Sequence, residues 1–372
     1  MASQVIGYFC VSNSWGGLEM NQLRNAAWMK ERGHRVVILG LKGSRIVQEA
    51  ENAGIAVAHV RQHKKYYDFK RAIQLKRHIK NKAITHLILR DPKDISLGVT
   101  TKRLLGGTLF LAYFMEMQLG VKKTDFIHTW RFKGLDLWSC PLDFLAEQVK
   151  AMTTFPHERI QVIPSAMDLS KFDATPNQTE ARKQLKLPQE KVILGLVGRF
   201  DPFKGHQLLL DAYTLLSDQL QNKVALAFLG EPTVPDVDNF YDELMSRIQE
   251  DTFQSKVHIL PFRQDVETFY AAINCFVMAS KAETFGMVTI ESMAAGTPVL
   301  GSNAGGTPEL LGNGDRGILF ESMNKASLAR AIEQFVNAYD LDSSQLKSYV
   351  RKYSHHEVFQ KVEQHLRLTS RK

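Results

Sequence analysis

The chain has 372 residues, 44% hydrophobic and 23% charged, with three cysteines. That length suits two α/β domains better than one, and the balance excludes disordered, collagenous and disulfide-framework classes. No apolar run reaches the ~18 residues expected of a spanning helix. The net charge of +8 is uneven: residues 1–186 hold 29 Lys and Arg against 16 Asp and Glu, and residues 187–372 hold 18 against 23.

The opening residues lack a basic start and a long apolar stretch, so Gln4 to Val11 reads as a first strand rather than a signal peptide. Ser12 to Gly17 is a turn with two glycines, Gly16 and Gly17. Leu18 to Arg32 has helical spacing and stops at Gly33, and Arg35 to Leu41 is a second strand. This β-turn-α-β opening is Rossmann-like. Ile55 to Val60 predicts a strand and Asp68 to Asn81 a helix. The run from His63 to Lys82 gathers much of the basic excess, so that helix faces either solvent or an anionic partner such as a membrane or an acidic acceptor. No helix-turn-helix, zinc or RNP motif accompanies the charge, so no nucleic-acid partner is expected. Strands at His86 to Leu89, Leu109 to Phe114 and Leu135 to Ser139 alternate with helices at Ile95 to Leu105, Lys122 to Phe132 and Pro141 to Met152. Such alternation implies one parallel sheet with helices on both faces. Residues 155–190 carry Pro156, Pro164, Pro176 and Pro188 and read as a hinge, with the domain boundary near Pro188.

Val192 to Val197 starts a second sheet. Arg199 and Lys204 follow it, just before a helix from His206 to Leu216. Two cations where a strand ends and a helix begins suit a diphosphate, Arg as a planar fork and Lys as a point charge. Further strands are expected at Val224 to Leu229 and Val257 to Leu260, the second followed by Phe262 and Arg263. Cys275 to Met278 is a buried strand end, and Met287 to Ala295 a helix. Glu283 sits in the loop between them and Glu291 about one turn into the helix. The N–H groups of Phe285, Gly286, Met287 and Val288 fall at the helix N-terminus, where the first donors have no intrahelical partner and the macrodipole favours an anion. Gly286, without a Cβ, lets an anion approach the main chain. A carboxylate on either side could hold hydroxyls. Two glutamates around a helix start also fit a plain solvated first turn. The second Gly-rich turn at Asn303 to Pro308, with Thr307 as N-cap and Pro308 opening a helix, favours the ligand site.

The stretch ETFGMVTIESMAAGTPVLGSNAGGTPELL resembles the donor-site signature of the family-four retaining glycosyltransferases. Gly198-Arg199 with Lys204-Gly205 resembles their G-R…K-G element, and Gly16-Gly17-Leu18-Glu19 their first-loop GG-x-E. The resemblance is strong over residues 190–320 and weaker before 120. It implies the GT-B fold, two Rossmann-like doubly wound domains facing across a cleft. The acceptor domain would be 1–187, the donor domain 188–353, and a final helix within 354–372 would pack back on the first. It implies transfer of a sugar, with retention, from a nucleotide diphosphate sugar to a hydroxyl. UDP is the base favoured by family frequency, and GDP comes second. Gly16, Gly17, Arg199, Lys204, Phe285, Gly286, Met287 and Val288 would serve the phosphates, Glu283 the sugar hydroxyls, Glu291 the ribose, and Phe262 and Arg263 the base.

Arg199, Lys204 and the helix N-terminus would stabilise the leaving diphosphate, so no metal and no cofactor are expected. Asp236-Val237-Asp238 has a metal-site pattern but reads as a helix cap. Glu283 is not assigned as a covalent nucleophile. Many family members place a His after the strand equivalent to Leu109 to Phe114. Here Glu116 stands there, with His128 as an alternative if the loop folds back. The expected acceptor is a cell-surface glycan, such as lipopolysaccharide, or a lipid-linked chain. The expected setting is the cytoplasm, including the inner face of the membrane that the basic N-terminal domain would contact. A transferase with a soluble acceptor and a non-catalytic sugar-nucleotide-binding regulator are the alternatives.

Overall fold

A computed structural model of the chain describes residues 4–232, 239–338 and 342–368. The chain divides into two compact units, Met1–Ala166 with His355–Lys372, and Met167–Ser354.

The first unit is built on seven parallel strands. They are β1 Val5–Cys10, β2 Arg35–Leu41, β3 Ala56–Val60, β4 His86–Leu89, β5 Phe110–Phe114, β6 Leu137–Cys140 and β7 Ile160–Val162, in the order β3-β2-β1-β4-β5-β6-β7. β1 is VIGYFC and buried along its whole length, the near-continuous apolar run expected of a strand covered on both faces. The order reverses between β1 and β4, the switch point of a doubly wound sheet. The last helix, His355–His365, belongs to this unit. Its Val358, Phe359 and Val362 join the core formed by Ile6, Trp28 and Ile88.

The second unit has six parallel strands. They are β8 Val192–Val197, β9 Val224–Leu229, β10 Val257–Leu260, β11 Cys275–Met278, β12 Val299–Ser302 and β13 Ile318–Phe320, in the order β10-β9-β8-β11-β12-β13. Phe228, Val277, Leu300 and Ile332 lie in its core. The fold class read from the sequence, parallel α/β in both halves, is the one observed.

The division falls between Ala166 and Met167, not near Pro188. The Met167 N–H donates to the Tyr353 carbonyl at 2.8 Å. The helix Gln178–Leu185 is held in the second unit by the buried Arg182 guanidinium. That group donates to Ala272 O, Gln189 O and Asn274 Oδ1 at 2.6–2.8 Å. Prolines marked the connector, but these hydrogen bonds decide which unit owns it. Three short helices, Arg45–Asn52, Asp218–Lys223 and Val266–Ala272, were not expected from the sequence. The helix expected from Lys122 begins at Phe126, where Asp125 accepts from the His128 N–H at 3.1 Å and caps it.

Candidate functional site in the second unit

β8, β11 and β12 are neighbours and parallel, so the loops after them emerge at one edge of the sheet. These loops carry most of the residues singled out above, and they are tied to one another. Lys281 N–H donates to Phe203 O at 3.0 Å, Gly306 N–H to Glu283 O at 2.8 Å, and Ser302 Oγ to Ser280 O at 3.0 Å. Two glycines make this closeness possible. Gly205 has φ +87°, and a Cβ there would lie 2.4 Å from Ala279 O. Gly305 has φ +61°, and its Cβ would lie 2.2 Å from Glu283 O.

Lys204 and Glu283 meet. The Nζ lies 2.6 Å from Glu283 Oε1, which also accepts from Ser280 Oγ at 3.2 Å. Both side chains are partly open to solvent, 30% and 21% exposed, so the pair can be reached by a ligand. Arg199 is exposed, one loop away on the same strand end. The helix Met287–Ala295 starts from Gly286, whose φ of +91° is left-handed. A Cβ at Gly286 would meet nothing closer than 3.5 Å, so the backbone turn, not crowding, calls for glycine. Phe285 is buried with its ring edge-on to Tyr353 at 5.7 Å, so its side chain anchors the loop while its main chain stays at the helix start. Thr307 is not the cap of the next helix. Gly306 is, and Thr307 is the buried first residue of the short helix Thr307–Leu310.

Glu291 sits on the same helix, and its Oε2 accepts from the Tyr270 hydroxyl at 3.1 Å. Burial, then the Glu291 charge, holds the Tyr270 phenol well above its usual pKa, so it stays a neutral donor. Tyr270 thus fixes one carboxylate oxygen. Phe262 is 60% exposed at the end of β10. Arg263 is engaged by Asp265 at 3.0 and 2.5 Å. Tyr270, Ser280 and Gly305 were missed in the sequence, because their partners lie in other loops.

His206 opens the helix His206–Thr214 beside Lys204. It is fully buried between Phe200 and Phe228, with ring centroids at 4.9 and 5.2 Å, and neither ring nitrogen has a hydrogen-bond partner among the described residues. Burial, then the Lys204 charge, pushes its pKa down to about 3, so the ring is neutral.

The remaining residues lie in the first unit. Gly16 caps the helix Gly17–Glu31, and its N–H is used by Glu19 Oε2 at 2.9 Å. Glu116 pairs with the buried Arg90, whose pKa burial pushes down to about 10. His128 Nδ1 lies 2.5 Å from Asp125 Oδ2 in its own first turn. Asp236-Val237-Asp238 lies outside the described residues. Among the described residues no group of three or more His, Cys, Asp or Glu is arranged to hold a metal ion. Nor is any helix among them long and apolar enough to cross a membrane.

Residues 177–353 match the family model described as "Glycosyl transferases group 1". Most of the second unit thus resembles a group 1 glycosyltransferase domain. A curated relative, the D-inositol 3-phosphate glycosyltransferase of Streptomyces scabiei, is 28% identical over 194 residues, covering 50% of this chain and 42% of that protein. The chain thus spans less than half the length of this relative. Two solved structures resemble the whole fold. A glycosyltransferase from Rickettsia africae gives a TM-score of 0.86 at 18% identity, covering 99% of this chain and 98% of that one. Anabaena HepE in complex with UDP gives 0.83 at 18%, covering 98% and 99%. The fold is GT-B.

Proposed function

We propose that this protein is a retaining glycosyltransferase that moves a sugar from a nucleotide diphosphate sugar, UDP-linked by preference, to a hydroxyl of a cell-surface glycan or lipid-linked acceptor. The observation that carries this is the Lys204–Glu283 pair, 2.6 Å apart and open to solvent, beside the N-terminus of the helix Met287–Ala295. An ammonium has three donors, so Lys204 can keep Glu283 and still reach a phosphate. The diphosphate would lie on Arg199, Lys204 and the N–H groups of Phe285 to Val288. Its developing charge would be stabilised by groups already in place, without a metal or cofactor. Glu283 would accept from sugar hydroxyls and Glu291, fixed by Tyr270, from the ribose. Phe262 is free to pack on the base, while Arg263 is committed to Asp265. Gly16 gives its N–H to Glu19, which leaves the Gly17 end of that turn for phosphate. Glu116, held by Arg90, is the acceptor-side candidate.

HepE was solved in complex with UDP, which favours UDP here. Contact with an anionic membrane through the first unit is supported by its surface. Tyr67, Phe69, Val121 and Phe126 are 62–82% exposed. They stand among Lys64, Lys65, Lys70, Lys122 and Lys123, and exposed rings among lysines suit a lipid interface. This reading places the protein in the cytoplasm, at the inner face of the membrane.

Calorimetric titration with UDP, GDP and ADP tests the donor half. One nucleotide should bind, UDP first, and Glu291→Ala should weaken that binding. No heat with any of the three removes the assignment.

A further inference from the structure

A second concavity lies wholly inside the first unit, beside the edge strand β3. It measures about 320 Å³, within the range of small-molecule sites. Phe9, Val60, Leu75 and Leu97, all buried, line its depth. Arg61, Arg71 and Arg77 supply its charge, His59 and His78 also line it, and among the described residues no Asp or Glu does. The helix Phe69–Asn81 explains the placement. Ala72, Leu75 and Ile79 point into the core, and Arg71, Gln74, His78 and Asn81, at helical spacing, form one flank that faces the hollow.

Arg71 is set in advance. Its Nε donates to Gln62 O at 3.1 Å and its Nη1 to Gln74 Oε1 at 2.8 Å. The Nη2 group makes no hydrogen bond among the described residues. Arg61 and Arg77 form no hydrogen bond or ion pair among them at all. Burial, more than the neighbouring Lys82 and His59, holds His78 below its usual pKa. Asp68 caps the helix and lies near Arg71, but the lining itself gathers three arginines, which would attract an anion into the hollow.

We infer that this hollow is an anion site for a phosphate-bearing group carrying an apolar or ring substituent. The phosphate would sit on the arginine rim and the substituent on the Phe9–Leu97 floor. A guanidinium held in place with one edge open suits bidentate recognition of a phosphate. The phosphate could belong to a lipid headgroup or to a soluble ester. The site lies in the other unit from the Lys204–Glu283 pair and does not depend on the donor reading.

The test uses the full chain. Glycerol 3-phosphate is titrated by calorimetry, and vesicles of phosphatidylcholine with and without phosphatidic acid are co-sedimented. Arg61→Ala with Arg77→Ala is the pocket variant, because both are exposed and unbonded and their loss leaves the fold intact. Lys133→Ala with Lys361→Ala, two exposed lysines of the same unit away from the hollow and from the lysine-rich surface, is the charge-matched control. Binding of the ester, weakened about tenfold or more in the pocket variant and unchanged in the control, supports a soluble ligand. Binding to phosphatidic acid vesicles alone, with the same split between variants, supports a lipid headgroup. Equal losses in both variants, or no binding by either probe, overturn the inference. UDP binding measured in the same samples reports separately on the donor site.

Discussion

Lys204 and Glu291 each present one polar contact to the proposed donor, and each is already placed by a neighbour, Glu283 for the first and Tyr270 for the second. Removing either contact from a desolvated ligand costs ~1–3 kcal/mol. Lys204→Ala should therefore weaken nucleotide binding by roughly fivefold to over a hundredfold, with the unfolding midpoint little changed because the pair is partly solvated. Equal affinity in the variant and the parent would remove Lys204 from the site. His206 makes a different prediction. Its folded pKa of about 3 lies below the unfolded value of ~6.5. The unfolded chain then takes up the proton first, so the contribution is whole above pH 6.5 and is lost as the pH falls toward 3. His206→Leu has no such proton to take up and leaves no ring nitrogen unpartnered. Its urea midpoint should fall less steeply than the parent's over that window. Parallel curves would mean that other groups set the acid sensitivity.

At the scale of the element, the site depends on two loops that touch. Gly305 can lie against Glu283 O only because it lacks a Cβ and holds φ +61°. Gly305→Ala forces the loops apart or strains the backbone, at a cost of about 1–3 kcal/mol. Unfolding in urea should show that loss, and nucleotide titration should show weaker binding, since Glu283 moves with its carbonyl. A stable Gly305→Ala that binds as the parent does would show that the contact is dispensable. The same glycine shows what the sequence carried and what it did not. The strand, loop and helix around Glu283 and Glu291 follow from local signals: a buried apolar run, Gly286, a helical run, then Gly296. The partner of Gly305 is another loop, and nothing near it in the chain names that loop. Tyr270 and Ser280 were missed for the same reason. Thr307-Pro308 misled because Thr is a good cap, yet the buried turn places the start at Gly306. The extra helices Asp218–Lys223 and Val266–Ala272 have six and seven residues, too short for periodicity to stand out.

The whole molecule is divided unevenly along its chain, because the first unit is completed by the last residues. Val358, Phe359, Val362 and Leu366 are buried in its core. Trp28 stacks on His355 at 5.0 Å and meets Phe359 edge-on at 5.6 Å. Glu363 accepts from Arg32 at 2.6 and 3.0 Å and lies 2.7 Å from His34 Nε2. Each buried apolar side chain contributes roughly 1.5–3 kcal/mol, so the helix supplies an amount comparable with the ~5–15 kcal/mol net stability of a domain. The resemblance implied the first unit as host of the final helix; no local signal in the chain names that host, because these contacts span the length of the chain. Phe359→Ala leaves a cavity worth about 3–5 kcal/mol in the first unit alone. Hydrogen exchange should then rise across residues 4–166 and stay near the parent's level across residues 167–354. A uniform rise over both would mean that the two units unfold as one cooperative body. A rise confined to the second would place the helix on the wrong host.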